Sequence, residues 1–203
     1  MPFPPDFFEQ AALVVARDLL GACLVSTVGS ERTVGVVVET EAYGGAEDPA
    51  SHAATRTGET HRNRAMFGRA GVAYVYRSYG VHWCLNVVTG LVGDPQAVLL
   101  RGIEPLVGEG VMHRRRGGRE PLAAGPGRLS EALGITADLY GHDLSQAPLV
   151  LTSGWQIADT GVGVSGRVGV SAAANWPNRF YVRGSTGVSR PGAVMNLEES
   201  EPE

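Results

Sequence analysis

The chain contains no lysine: all seventeen of its basic residues are arginine. Arginine stays protonated and cannot serve as an amine nucleophile, so imine chemistry at a lysine is excluded. The one other amine is the chain terminus, on Met1 or, once Met1 is removed, on Pro2. Cysteine is almost as scarce. Cys23 and Cys84 can build neither a disulfide framework nor a four-thiolate metal site, and they read as two small buried thiols. No apolar run approaches the roughly 18–20 residues of a membrane span, so no membrane partner is expected. The opening MPFPPDFFEQ lacks the basic flank and apolar core of a signal peptide, which points to a cytoplasmic protein, nucleoid-associated in a bacterium. No Walker loop is present, and the five histidines lack zinc-ligand spacing.

What is present is enough for a folded core. A length of 203 residues, 43% hydrophobic and 19% charged, suits one domain spanning 1–203, with an acidic, flexible tail over 196–203. The net charge of −4 is unusual for a nucleic-acid binder, but it is unevenly spread. Between His52 and Arg128 there are eleven arginines and five acids; the remainder holds six arginines and sixteen acids. A basic middle inside an acidic envelope is compatible with one DNA-facing surface, and equally with an ordinary solvated face.

Asp6 followed by Glu9 resembles a capping box, and FFEQAALVVARDLL has helical apolar spacing with Gly21 as a stop. ACLVSTVG and RTVGVVVETEAY predict strands turning near Gly29. Residues 44–60 predict a long functional loop, and HRNRAMF a short helical turn. VAYVYR and HWCLNVV flank Ser78-Tyr79-Gly80-Val81 as a β-hairpin, and AVLLRGIEPL is a further strand ending near Pro105. MHRRRGGREPLAAGPG predicts a mobile connection, and RLSEALGI a short helix. PLVLTSG, GRVGVS and RFYVRG predict short strands. The fold class is α+β: a single mixed domain around a curved, mostly antiparallel sheet with a protruding hairpin.

Strand alternation puts Glu39, Glu41 and Tyr43 on one face of VVVETEAY, a plausible catalytic face that equally fits a solvated strand edge. On the hairpin, Tyr74 and Tyr76 share one face, as do His82, Cys84 and Asn86. Tyr79 occupies a turn where small polar residues are usual, so it either folds back on its own hairpin or binds something. Facing DNA, it has the shape of a wedge that fills the gap left by an extruded nucleotide. Tyr43, Tyr76 and His52 could form a stacking pocket, and electron-rich rings attract flat cationic alkylpurines.

In order along the chain, ETEAYGGAEDPASHA, HRNRAMFGRAGVAYVYRSYGVHWCLNVVTG, AVLLRGIEPL, GPGRLSEALGI, RVGVS and RFYVRG resemble the alkyladenine (3-methylpurine) DNA glycosylases, from about Ala16 to Gly184. The resemblance implies a monofunctional base-excision-repair enzyme acting on double-stranded DNA. Its substrates would be 3-methyladenine, 7-methylguanine, hypoxanthine and ethenoadenine, released by base flipping. The residues it marks are Glu41 as activator of water, Tyr43, His52 and Tyr76 as base-stacking groups, and Asn86 as a check against normal guanine. It also marks Tyr79 as the intercalating residue and Arg101 as a contact near the target phosphate. It implies a monomer with no cofactor and no metal. Two departures stand out: the short arginine-rich segment before GPGRL, and the polar Arg77-Ser78 ahead of the turn.

The chemistry agrees with this assignment. Breaking the bond from deoxyribose C1′ to a base nitrogen builds oxocarbenium character, which a nearby carboxylate stabilises while accepting a proton from water. A base alkylated at N3 or N7 is already cationic and leaves without a second acid, whereas neutral lesions need protonation or hydrogen bonding. Glu39 has no catalytic role in this scheme. Two other readings stay open: a bifunctional glycosylase-lyase using the Pro2 amine, and a non-catalytic nucleic-acid-binding module.

Overall fold

The computed structural model describes residues 1–51 and 58–190. They form an α+β fold around a curled antiparallel sheet of eight strands. The strands are β1 (Cys23–Ser26), β2 (Thr33–Tyr43), β3 (Ala73–Ser78), β4 (His82–Thr89), β5 (Gln96–Val107), β6 (Leu149–Thr152), β7 (Val162–Ser165) and β8 (Arg179–Val182). The main path runs β3-β4-β5-β2-β1-β6. Its centre is β2, paired along its length with β5; its other edge takes β1 opposite residues 33–36 and β8 opposite residues 39–41. The sheet therefore forks at β2, and Glu39 and Glu41 lie on a strand paired on both sides. A solvated strand edge is ruled out.

Alternation divides the two faces. Thr40, Ala42, Val87, Val98 and Leu100 are fully or almost fully buried on the core face. Helix α1 (Ala12–Asp18) packs there, and the Thr40 hydroxyl donates to its Ala16 carbonyl at 2.7 Å. The sequence placed the start of this helix too early. Asp6 falls in a 3-10 turn, Pro5–Phe7, where the stacked Phe3 and Phe7 rings, 4.2 Å apart, set the local path. The first helical N–H, on Ala12, is accepted by Gln96 Oε1 at 2.9 Å, so the cap comes from β5 and not from Asp6.

The arginine-rich connection is also not as expected. It begins as a helix, α2 (Glu109–Arg115), packed against α3 (Pro126–Leu133). Arg115 donates to the carbonyls of Val28 (2.6 Å) and Ala132 (3.2 Å), while Arg116 and Arg119 both pair with Glu131. Buried Met112 anchors the helix. These arginines brace the molecule internally. GRVGVS is likewise not a strand: β7 ends at Ser165 and residues 166–171 form an irregular loop. A Cβ at Gly166 would lie 2.1 Å from the Ala174 carbonyl oxygen, and Gly169 has φ +78°, so this backbone is held away from an extended path. Residues 196–203, expected as an acidic tail, lie outside the described residues.

Candidate active site

The second face of the sheet is concave and carries a cavity of about 850 Å³. Alternate residues of four strands line it: Tyr43 from β2, Tyr74 and Tyr76 from β3, Cys84 and Asn86 from β4, and Ala97, Leu99 and Arg101 from β5. Antiparallel register explains the grouping, since Tyr74 lies opposite Asn86 and Tyr76 opposite Cys84. Loops supply the rest: Ala50 and Ser51 on one side, and Val168 to Ser171 on another. Tyr79 stands at the rim.

Glu41 lies just behind this wall and is fully buried. Its Oε2 accepts from the Tyr43 hydroxyl (2.9 Å) and its Oε1 from the Val168 N–H (2.6 Å), with Arg101 Nη1 3.3 Å from Oε1. All three partners line the cavity. Burial pushes the Glu41 carboxyl above its ordinary range, against the pull of Arg101, the Val168 N–H and Tyr43. Glu39 is in the opposite state. Burial would raise it too, but Arg101, the Ser189 N–H and Arg179 outweigh burial and hold it below the usual range. Two carboxylates on one strand face are thus separated in acidity: Glu39 is favoured as the anion, and Glu41 is pushed toward its neutral form.

Arg101 sits between them, donating Nε to Glu39 Oε1 at 3.0 Å. Its position has a local cause. The β2–β5 register slips between Val37 and Glu39 and again between Glu39 and Thr40, leaving Arg101 as an extra residue between Leu100 and Gly102. Such an irregularity re-aims side chains. The remaining Glu39 contacts come from late in the chain: Arg179 Nε at 2.7 Å, and Ser189 through both its N–H (2.6 Å) and hydroxyl (2.9 Å).

The aromatic groups fall into two sets. Tyr74 and Tyr76 stack with centroids 5.6 Å apart. Tyr43 carries the Arg167 guanidinium 4.8 Å above its ring, and burial beside Glu41 raises its phenol. Asn86 is buried and donates to the Tyr74 carbonyl at 3.1 Å. Tyr79 is 92% exposed, which removes the alternative that it folds back on its own hairpin. The Val81 N–H donates to the Ser78 carbonyl at 3.0 Å, and both residues between have positive φ, Tyr79 at 50° and Gly80 at 69°. A tyrosine in the left-handed region is strained, and at 92% exposure little packing among the described residues offsets that strain. His52 lies outside the described residues.

Of the expected site residues, the fold gathers Tyr43, Tyr76, Asn86 and Arg101 around one cavity, with Glu41 behind and Tyr79 at the rim. Sequence reasoning missed Asp48, Arg167, Val168, Arg179 and Ser189. Their only signals were the acid five residues after Tyr43 and arginines beginning two late strand-like segments.

A curled sheet carrying a buried carboxylate behind an aromatic cavity, with an exposed tyrosine at its mouth, is an arrangement suited to chemistry on a flat base taken out of a duplex. Residues 6–186 match the model of the methylpurine-DNA glycosylase family, and the chain belongs to that family. Its members are monofunctional DNA glycosylases, hydrolases of the N-glycosyl bond. A protein of Methanoculleus marisnigri is 48% identical over 195 residues, covering 94% of this chain and 100% of its own. One of Carboxydothermus hydrogenoformans is 41% identical over 193 residues, with the same shares. One of Agrobacterium fabrum is 47% identical over 189 residues, covering 92% of each chain. Each bears the name "Putative 3-methyladenine DNA glycosylase".

Proposed function

We propose that the protein removes alkylated and deaminated purines from double-stranded DNA by flipping the nucleotide into the cavity and attacking C1′ with water activated by Glu41. The observation that carries this is the Glu41 carboxylate: fully buried, raised in pKa, and held by three groups that all line the cavity. In the proposed mechanism Tyr43, Tyr76 and His52 stack on the lesion. Asn86, fixed by its bond to the Tyr74 carbonyl, rejects the 2-amino group of normal guanine. Arg101 meets the target nucleotide on its phosphate side from within the cavity while holding Glu41. Tyr79 enters the helix and occupies the vacated space. Cationic 3-methyladenine and 7-methylguanine leave directly; hypoxanthine and ethenoadenine, being neutral, depend on protonation or hydrogen bonding of the departing base.

Water, and not an amine, is the proposed nucleophile. The Met1 amine lies 3.4 Å from Ser153 Oγ, and Pro2 bridges to Thr152 on β6, at the opposite end of the sheet path from the β3 hairpin. The test is a panel of duplexes, each with one 3-methyladenine, 7-methylguanine, hypoxanthine or ethenoadenine, followed for base release, strand cleavage and borohydride trapping. Free base with an intact abasic strand is expected. A trapped adduct lost on blocking the N-terminus would establish the lyase alternative, and lesion binding without release would establish the non-catalytic one.

A further inference from the structure

Two loops that wall the cavity on either side of Tyr43 are joined by one buried ion pair. Asp48 organises the first loop, accepting from the Gly44 N–H and the Ala50 N–H, both at 3.0 Å. Arg167 opens the second. It pairs with both Asp48 oxygens, Nη2 to Oδ1 at 2.8 Å, and donates Nη1 to the Ala42 carbonyl at 2.9 Å. Both side chains are almost completely buried. The same guanidinium covers the Tyr43 ring, and the next residue, Val168, gives its N–H to Glu41. Residues 166–171 belong to no helix or strand, because β7 has already ended at Ser165.

We propose that Arg167 is a positioning residue for the excision reaction: clamped by Asp48, it holds the Tyr43 hydroxyl and the Val168 N–H on the Glu41 carboxylate. This rests on the assignment of Glu41 as the activator of water. The geometry suits a two-pronged guanidinium and not a point charge, since one group must meet a bidentate carboxylate, a carbonyl and a ring face together. A purely structural ion pair would need neither the ring contact nor the adjacent N–H.

The test is Arg167→Met, which retains an apolar stem and removes the fork. Single-turnover release of hypoxanthine from a duplex is followed from pH 5 to 9, with circular dichroism to confirm folding. Both bonds to Glu41 favour its charged form, so loosening them raises its pKa. The acid limb of the profile should then move up by about one pH unit, as for a lost charge-assisted hydrogen bond. The deficit should be about tenfold below the limb and shrink above it. The other groups that set this limb are Glu39 and Tyr43 on β2, Arg101 on β5, Tyr76 on β3 and Cys84 on β4, with Arg179 acting through Glu39; all are unchanged in the variant. Asp48→Asn, which unclamps Arg167 but leaves it in place, should move the limb the same way and serves if Arg167→Met does not fold. A limb that stays put, with an equal loss at every pH or none, overturns the proposal. No release by the wild type at any pH sinks the glycosylase mechanism itself, and the proposal with it.

Discussion

Glu41 and Glu39 are two residues apart on one strand, yet their surroundings drive them in opposite directions. Glu39 receives Arg101, Arg179 and two donors from Ser189, whereas Glu41, equally buried, shares one edge of a single arginine, Arg101, and takes uncharged donors from Tyr43 and Val168. Glu41→Gln keeps the outline and removes the proton acceptor. Excision should fall by roughly 10²–10⁴-fold while lesion binding persists, and single-turnover rates within a few-fold of wild type would refute the assignment. Because the folded pKa of Glu41 is raised, its active anion is present above that pKa and lost as pH falls through it. The acid limb of wild-type excision should therefore lie above the ordinary value of 4.5. Tyr79 allows a cleaner separation of stability from activity. Glycine adopts φ 50° freely, so Tyr79→Gly should leave the melting temperature unchanged or higher. Excision of a paired lesion should nonetheless fall about tenfold or more, since the stacking ring is gone. On a mismatched lesion, which costs less to extrude, the defect should be smaller. A lowered melting temperature with an equal defect on all substrates would mean that the tyrosine serves the hairpin alone.

Among elements, the α2–α3 pair shows how a run of like charge can be absorbed by folding. Arg116 is buried against Glu131, which also holds Arg119, and Arg115 ties both helices to the turn after β1. Glu131→Gln leaves Arg116 buried without an anion. Because Glu131 is partly exposed, the loss should be about 1–3 kcal/mol, less than for a wholly buried pair. Thermal unfolding should shift down by about 2–4 °C per kcal/mol, with excision per folded molecule unchanged. An excision defect without a stability change would instead place Glu131 in the DNA interface. The β3–β4 hairpin was legible because Tyr-Gly interrupts two strands of clear alternation. Helix α1 and the GRVGVS segment were misjudged because a glutamine on β5 caps the one and a carbonyl at Ala174 crowds the other.

For the molecule as a whole, the basic middle is less free than its count suggests. Among the described residues of that stretch, Arg101, Arg114, Arg116 and Arg119 pair with carboxylates, as does Arg69 with Asp143. Arg62, Arg64, Arg77 and Arg128 are exposed and form no ion pair there. If each meets one phosphate, the logarithm of the binding constant for undamaged duplex should fall with the logarithm of salt concentration at a slope of about −4. A slope near −8 would mean that the paired arginines also release their partners to bind DNA. With a net charge of −4, affinity without a lesion should be low, leaving recognition to the cavity.

The sequence by itself determined the chemistry available. An absence of lysine removed imine catalysis by a side-chain amine, alternation on β2 put Glu39, Glu41 and Tyr43 on one face, and the motif order fixed the family. These are local or compositional properties, or a resemblance carried by motifs, and none of them needs the folded chain. Which carboxylate is raised in pKa and which is lowered was decided only in three dimensions. The β2–β5 register slip brings Arg101 between the two glutamates, and Ser189 and Arg179 reach Glu39 from 150 and 140 positions away. The Asp48–Arg167 clamp spans 119 positions and has no periodicity to betray it. Local pattern records which face a side chain takes; burial and the partners that set its pKa belong to contacts between distant segments, and those exist only once the sheet has curled.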